Sequence, residues 1–184
     1  SAPQRGTLLV KSVLDRMKGE SGTRFGIESG RVPAGLVTGL AEKRTGAIFN
    51  SIDGTLARLK RSKDADEVAM MRQSIRAIDA GFAAARERIH AGMSEFDAFH
   101  TVERASRDSL GMLMPIYGDF VSGPNTEVGG GAPSERIIRE GDLFLLDYSV
   151  VVYGYRGDFA NAWVVDGKAS DQIRYLHDAC REAL

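Results

Sequence analysis

Apolar residues recur along this chain at two different spacings, and the changes of spacing divide it into elements. At 7–18, TLLVKSVLDRMK places Leu8, Leu9, Val13 and Met17 on one helical face. RFGIE (24–28) and GAIFN (46–50) read as short strands, with PAGLVTGLAEK (33–43) as a helix between them. This alternation predicts a small α/β piece ending near Asp53-Gly54. It is too short for a complete layered domain, so the start of that domain is expected to lie outside the chain. From about Asp64 to His90 the helical period returns, with Val68, Met71, Ile75, Ile78, Phe82 and Ala85 on one face and Gly92 as the stop. Ser94 precedes Asp97 by three residues, a capping box with Asp in the place of the usual Glu. It opens a second helix over 95–110, carrying Phe96, Phe99, Val102 and Leu110 and closed by Gly111. Strand-like segments follow at 117–122, 142–152 and 155–165, the first two separated by the glycine-rich GPNTEVGGGAPSE. DGK at 166–168 is a turn, and Ser170 caps a last helix that runs to Leu184. The expected class is α+β.

Composition narrows the function classes. The chain has 184 residues, 43% hydrophobic and 27% charged, as in a folded globular protein. A formal net charge of −1, with no block of like charges, gives no support to a nucleic-acid or anionic-membrane surface. No apolar run reaches the roughly 18 residues of a membrane span, and the start shows no signal-peptide pattern. Cys180 is the one cysteine, so no internal disulfide forms and a reducing cytoplasmic location is expected. The first residue is Ser, which suits processing or a fragment.

The chemistry concentrates in LLDYSVVVYGYRGDF (145–159). Asp147 and Asp158 stand in a run otherwise made of β-branched, aliphatic and aromatic residues around a glycine. If 142–152 and 155–165 form a hairpin turning at Val152-Tyr153, partners have numbers that sum to 305, and the two aspartates face each other. Gly154 supplies the positive φ that a tight connection needs. Opposed carboxylates repel, the more so away from water. Either they share a proton or a cation lies between them, and such a pair suits two divalent ions about 3.5–4 Å apart. Alternatively, Arg136 and Arg156 each neutralise one aspartate, or Asp158 is a solvated turn residue.

The run GDLFLLDYSVVVYGYRGDFANAWVVDG (141–167) resembles the pita-bread metallopeptidases, the family of methionine aminopeptidases, Xaa-Pro aminopeptidases and prolidases. It carries their Gly-Asp opening (Gly141-Asp142), an apolar strand ending in Asp147, the Gly-aromatic pair Gly154-Tyr155, and Asp158. SGPNT (122–126), GAPSERIIREGD (131–142) and LARLKRSKDADEV (56–68) are similar to the Xaa-Pro branch. The resemblance implies that 55–184 is the first part of a pita-bread catalytic domain and that 1–54 ends an N-terminal α/β domain. It implies a metal-dependent peptidase removing or cleaving at an Xaa-Pro residue. Asp147 would be a two-oxygen ligand to one metal and Asp158 a bridge between two, the ions being Mn, Co or Zn. A peptide or amino-acid-derived substrate and a homodimer are further implications.

Departures from the family pattern bear on activity. The family places a histidine just before the Gly-x-Pro of the upstream loop, where this chain has Gly130. The family's remaining histidine and two glutamates lie in the second half of the domain, past this chain's end. The residues after Asp158 also differ, being Ala160-Asn161-Ala162. His90 reads as structural at a helix C-terminus, His100 as half-buried or exposed, and His177 with Cys180 as a pair lacking further ligands. Ser122, Ser134 and Ser149 have no neighbouring histidine, and Asn125 reads as a turn residue. Rival expectations are a related enzyme acting on a small non-peptide substrate and an inactive pita-bread binding module.

Overall fold

A computed structural model describes residues 2–18 and 22–183. By internal contacts the chain divides into two units, Ser1–Lys63 and Asp64–Leu184.

In the first unit, α1 (Ala2–Arg16), β1 (Arg24–Ile27), α2 (Ala34–Lys43), β2 (Ile48–Ser51) and α3 (Asp53–Leu59) follow in order. β1 and β2 pair in parallel, which requires a crossover, and α2 supplies it. Phe25 stands opposite Phe49, their rings stacked at 5.7 Å. Asp53-Gly54, read from the sequence as an end, instead starts α3. Asp53 accepts hydrogen bonds from Ser29 and Ser51 and puts a negative charge in the first turn, where the helix dipole favours it.

In the second unit two long helices, α4 (Ala65–Arg88) and α5 (Glu95–Leu110), precede a meander of β3 (Ile116–Ser122), β4 (Leu143–Val152) and β5 (Tyr155–Val164), and then α6 (Asp171–Ala183). The sheet runs β3-β4-β5, antiparallel throughout. Helices segregated from an antiparallel sheet make the unit α+β, as the sequence predicts. The caps explain the helix starts. Asp64 N donates to Glu67 at 2.8 Å, while Ser94 N donates to Asp97 at 3.1 Å and Asp97 N to Ser94 Oγ at 3.0 Å. Gly111, at φ 63°, ends α5 in the left-handed conformation.

The core fills one side of the sheet. Phe144, Leu146, Tyr148, Val150 and Val152, the even positions of β4, are all buried with Ile78, Phe82, Val102 and Phe120. Each such side chain contributes about 1.5–3 kcal/mol on leaving water. Tyr148 is the one polar member, and its hydroxyl donates to Ile78 O at 2.7 Å. Burial, opposed only in part by a bond with Ser106, pushes its pKa up to about 12. α4 comes this close because Gly81 has no side chain; a Cβ there would strike the Tyr148 hydroxyl and lie 2.6 Å from Ser106 Oγ. Among the described residues no helix is long and apolar enough to cross a membrane.

Candidate metal centre

Even positions of β4 face the helices, so odd positions face the other way, and Asp147 is one of them. The strand pairing sets Asp147 opposite Asp119 on β3 and opposite Ala160 on β5. Asp158 pairs with Ser149, so it lies diagonally from Asp147 on the same face. The directly opposed register expected from the sequence is therefore corrected by one position of the turn. The hairpin turns at Tyr153-Gly154, not Val152-Tyr153, and its partners have numbers that sum to 307. Both turn residues take positive φ, 50° and 89°, the geometry that matches the twist of the flanking strands. Because the slip is even, the aspartates remain co-facial; diagonal neighbours are about 7–8 Å apart at the backbone, within reach of ions held between their side chains.

Asp119 was not singled out by the sequence reading, yet it stands directly across the β3–β4 ladder from Asp147. Burial first, then the charges of Asp158 and Asp119, hold the Asp147 carboxyl above the usual aspartate range. No hydrogen-bond donor or cation among the described residues bonds it. Arg136, a candidate neutraliser, is engaged elsewhere, 2.8 Å from Asp142. Arg156 lies 3.9 Å from Asp158, with both side chains 55% exposed, a surface pair of little energetic weight. Two co-facial carboxylates, the inner one uncompensated, are the oxygen donors that hard divalent ions take. They make only part of a coordination shell: among the described residues no group of three His, Cys, Asp or Glu is placed to hold a metal.

The loop beside this face is held by a residue that the sequence hid. Glu95, the first residue of α5, is 0% exposed. Its carboxylate accepts from Ser122 N and Oγ at 2.7 and 2.9 Å, from Asn125 Nδ2 at 3.1 Å, and from Ser134 N and Oγ at 3.2 and 2.6 Å. Burial raises its pKa, but the bonds from Ser134, Ser122 and Asn125 outweigh that and leave it below the ordinary value. Ser122, Ser134 and Asn125, discounted above as catalysts, are thus the donors that hold the end of β3 and the return of the loop to one buried charge. Between those anchors the backbone takes φ of 90°, 102° and 153° at Gly129, Gly130 and Gly131. Phe120 N donates to Gly131 O at 3.2 Å, which ties this stretch to β3 beside Asp119.

The remaining candidates lie apart from the aspartates. His90 and His100 are exposed, the first against Ala91 O at 2.8 Å and the second 3.4 Å from Glu103. His177 and Cys180 line a groove of about 620 Å³ between α6 and the ends of β4 and β5, with Trp163 and Leu143.

Residues 69–184 match the model of metallopeptidase family M24. An uncharacterized peptidase YqhT of Bacillus subtilis is 22% identical over 98% of this chain and 51% of its own length. An Xaa-Pro dipeptidase of Pyrococcus furiosus is 26% identical over 86% of this chain and 45% of its own. The chain therefore spans about half the length of these relatives. Among solved structures, an X-Pro aminopeptidase from Thermotoga maritima superposes with a TM-score of 0.86 at 20% identity, over 95% of this chain and 49% of that one. An Xaa-Pro dipeptidase from Bacillus anthracis does so at 0.83 and 23%, over 95% and 48%. The pita-bread fold expected from the sequence is therefore present, in part.

Proposed function

We propose, from the premise that this chain belongs to metallopeptidase family M24, that the protein is a metal-dependent peptidase acting at Xaa-Pro bonds, with Asp147 and Asp158 as ligands to two divalent ions. The observation that carries this reading is the co-facial placement of the two aspartates, with Asp147 buried enough to suffer their repulsion and given no partner by the protein. On this reading 55–184 is the first part of the catalytic domain and 1–54 the end of an N-terminal one. The rest of the coordination shell comes from outside the described residues. Mn, Co or Zn would supply a water of lowered pKa and polarise the scissile carbonyl. The chain's own residues orient. Asp147, on the central strand, fixes one carboxylate against a rigid sheet. Asp158, more exposed, is free to leave Arg156 for a cation. Ala160, small and directly opposite Asp147, leaves room beside it. Glu95 sets the position of the glycine loop at the rim.

Calorimetric titration with Mn²⁺ or Co²⁺, together with Xaa-Pro dipeptide turnover, tests this on the protein at its full natural length. Wild type should take up two ions and cleave. Asp158→Ala should lose at least one ion and about a hundredfold or more in kcat, the order expected when metal-assisted chemistry is disabled. Equal uptake by both forms removes the ligand assignment. Gly130 favours a second reading, the same scaffold acting on a small amino-acid-derived molecule, because no imidazole stands there to carry a proton. Brisk Xaa-Pro cleavage ends that alternative. An inactive binding module is disfavoured, since the repulsion at Asp147 would then be retained with no cation to relieve it.

A further inference from the structure

Among the described residues, Asp119 is the one carboxylate on the open face that neither the chain nor the proposed metal pair explains. It is half-buried and stands directly across the β3–β4 ladder from Asp147, at a spacing where like charges destabilise a sheet. No hydrogen bond or ion pair among the described residues compensates it. It does not join Asp147 and Asp158 in a three-ligand group. The cross-strand order Asp119, Asp147, Asp158 instead puts it on the side of Asp147 away from Asp158, next to the glycine loop. There it takes space that a side chain would need: a Cβ on Gly130 would collide with Asp119 Oδ2 and lie 3.1 Å from its Cβ. Gly130 thus makes room for the Asp119 carboxylate, which gives the loop side of the open face a negative charge about one strand spacing, roughly 4.8 Å, from the Asp147 strand.

A half-buried anion held against a second anion is relieved by a proton, by a hydrogen-bond donor or by positive charge. With Asp147 engaged by metal, a cation beside Asp119 is the relief that would also discriminate between substrates. Two ions between Asp147 and Asp158 already have carboxylates of their own. From this we infer that Asp119 is a specificity residue, which selects substrates bearing an organic cation, a basic side chain or amine, on the Gly130 side and disfavours anionic ones. The inference rests on the peptidase reading above and adds the charge of the substrate to it.

The test uses the Mn-loaded, full-length protein with Lys-Pro, norleucine-Pro and Glu-Pro, which differ chiefly in the charge at one end of a similar chain. Wild type should prefer Lys-Pro over norleucine-Pro by roughly tenfold in kcat/KM, the order of one partly desolvated charge pair, with Glu-Pro the poorest. Asp119→Asn should bring the lysine preference to within about twofold, mainly through KM, and raise Glu-Pro several-fold. No lysine preference in wild type, or an unchanged one in Asp119→Asn, overturns the inference while cleavage itself leaves the peptidase reading standing. Loss of a bound metal ion in Asp119→Asn also overturns it, by making Asp119 a ligand. If no Xaa-Pro substrate is cleaved, calorimetric binding of lysine amide against norleucine amide decides the matter separately. A preference lost in Asp119→Asn upholds the charge selection without the peptidase, and equal binding in both forms sinks it.

Discussion

Replacing Glu95 by alanine should be among the most damaging single changes in the second unit. The substitution leaves the donors on Ser122, Asn125 and Ser134 without their acceptor. The two hydroxyls and the Asn125 amide can turn, and Ser134 and Asn125, being half-buried, can find water. The amide N–H groups of Ser122 and Ser134 cannot turn, and each buried orphan costs about 1–3 kcal/mol. With the small cavity added, a net loss of about 3–5 kcal/mol follows, against a typical domain stability of roughly 5–15 kcal/mol. Ser134→Ala keeps the backbone bond to Glu95 and removes the 2.6 Å hydroxyl bond together with the longer one that Ser134 Oγ accepts from Arg136 N at 3.2 Å, so about 1–2 kcal/mol is expected there. Urea unfolding followed by the fluorescence of Trp163, the chain's one tryptophan and 5.1 Å from the Phe144 ring, reads the stability of this unit. The effect has a pH signature. Glu95 titrates below its ordinary 4.5 when folded, so its contribution is complete above that value and fades as pH falls through the folded pKa. The gap between wild type and Glu95→Ala should therefore hold from pH 7 to 5 and shrink in stronger acid. A loss below about 1 kcal/mol at pH 7, or a gap that widens with acid, would refute the account of the buried hub.

Two other substitutions probe the sheet's opposite faces. In metal-free protein Asp147→Asn should raise stability at pH 7 by about 0.2–1 kcal/mol, as relief of a like-charged cross-strand pair. Because the folded pKa of Asp147 is raised, the native state of the wild type binds the extra proton, so its stability falls as pH rises through that range. The gain in Asp147→Asn should disappear in acid, and differential unfolding at pH 4 and 7 checks this. Gly81→Ala should cost about 2 kcal/mol or more through overpacking against Tyr148 and Ser106, which equilibrium urea unfolding would show; a neutral result would mean that α4 is not seated where Tyr148 holds it.

The legible parts of the sequence were those decided locally. The box of Ser94 and Asp97 marks the start of α5 because both partners lie within one turn, and the apolar alternation of β4 marks its buried face. What escaped depended on contacts distant in sequence. Asp119 meets Asp147 only after a twenty-residue connection whose length does not fix the register of β3 against β4. Glu95 reads as an ordinary acidic residue in a helix's first turn, since its partners lie 27–39 positions away. The hairpin slip had a smaller cause. Val152-Tyr153 was the symmetric choice between the aspartates, but the chain turns where Gly154 and a tolerated left-handed Tyr153 match the strand twist. That pairing keeps Asp158 co-facial with Asp147 and makes the pair diagonal.

The two-residue turn at Tyr153-Gly154 sets a rule for how this stretch can change length. Since neighbouring side chains on a strand alternate between faces, a single residue inserted between Tyr155 and Asp158, with this turn and its pairing kept, would swing Asp158 from the open side toward the oily interior under α4. Two inserted residues would leave it outside. Natural drift and deliberate engineering alike should find the start of β5 tolerant of paired insertions or deletions and intolerant of solitary ones, whereas an extra residue within the turn itself leaves the facing of Asp158 unchanged.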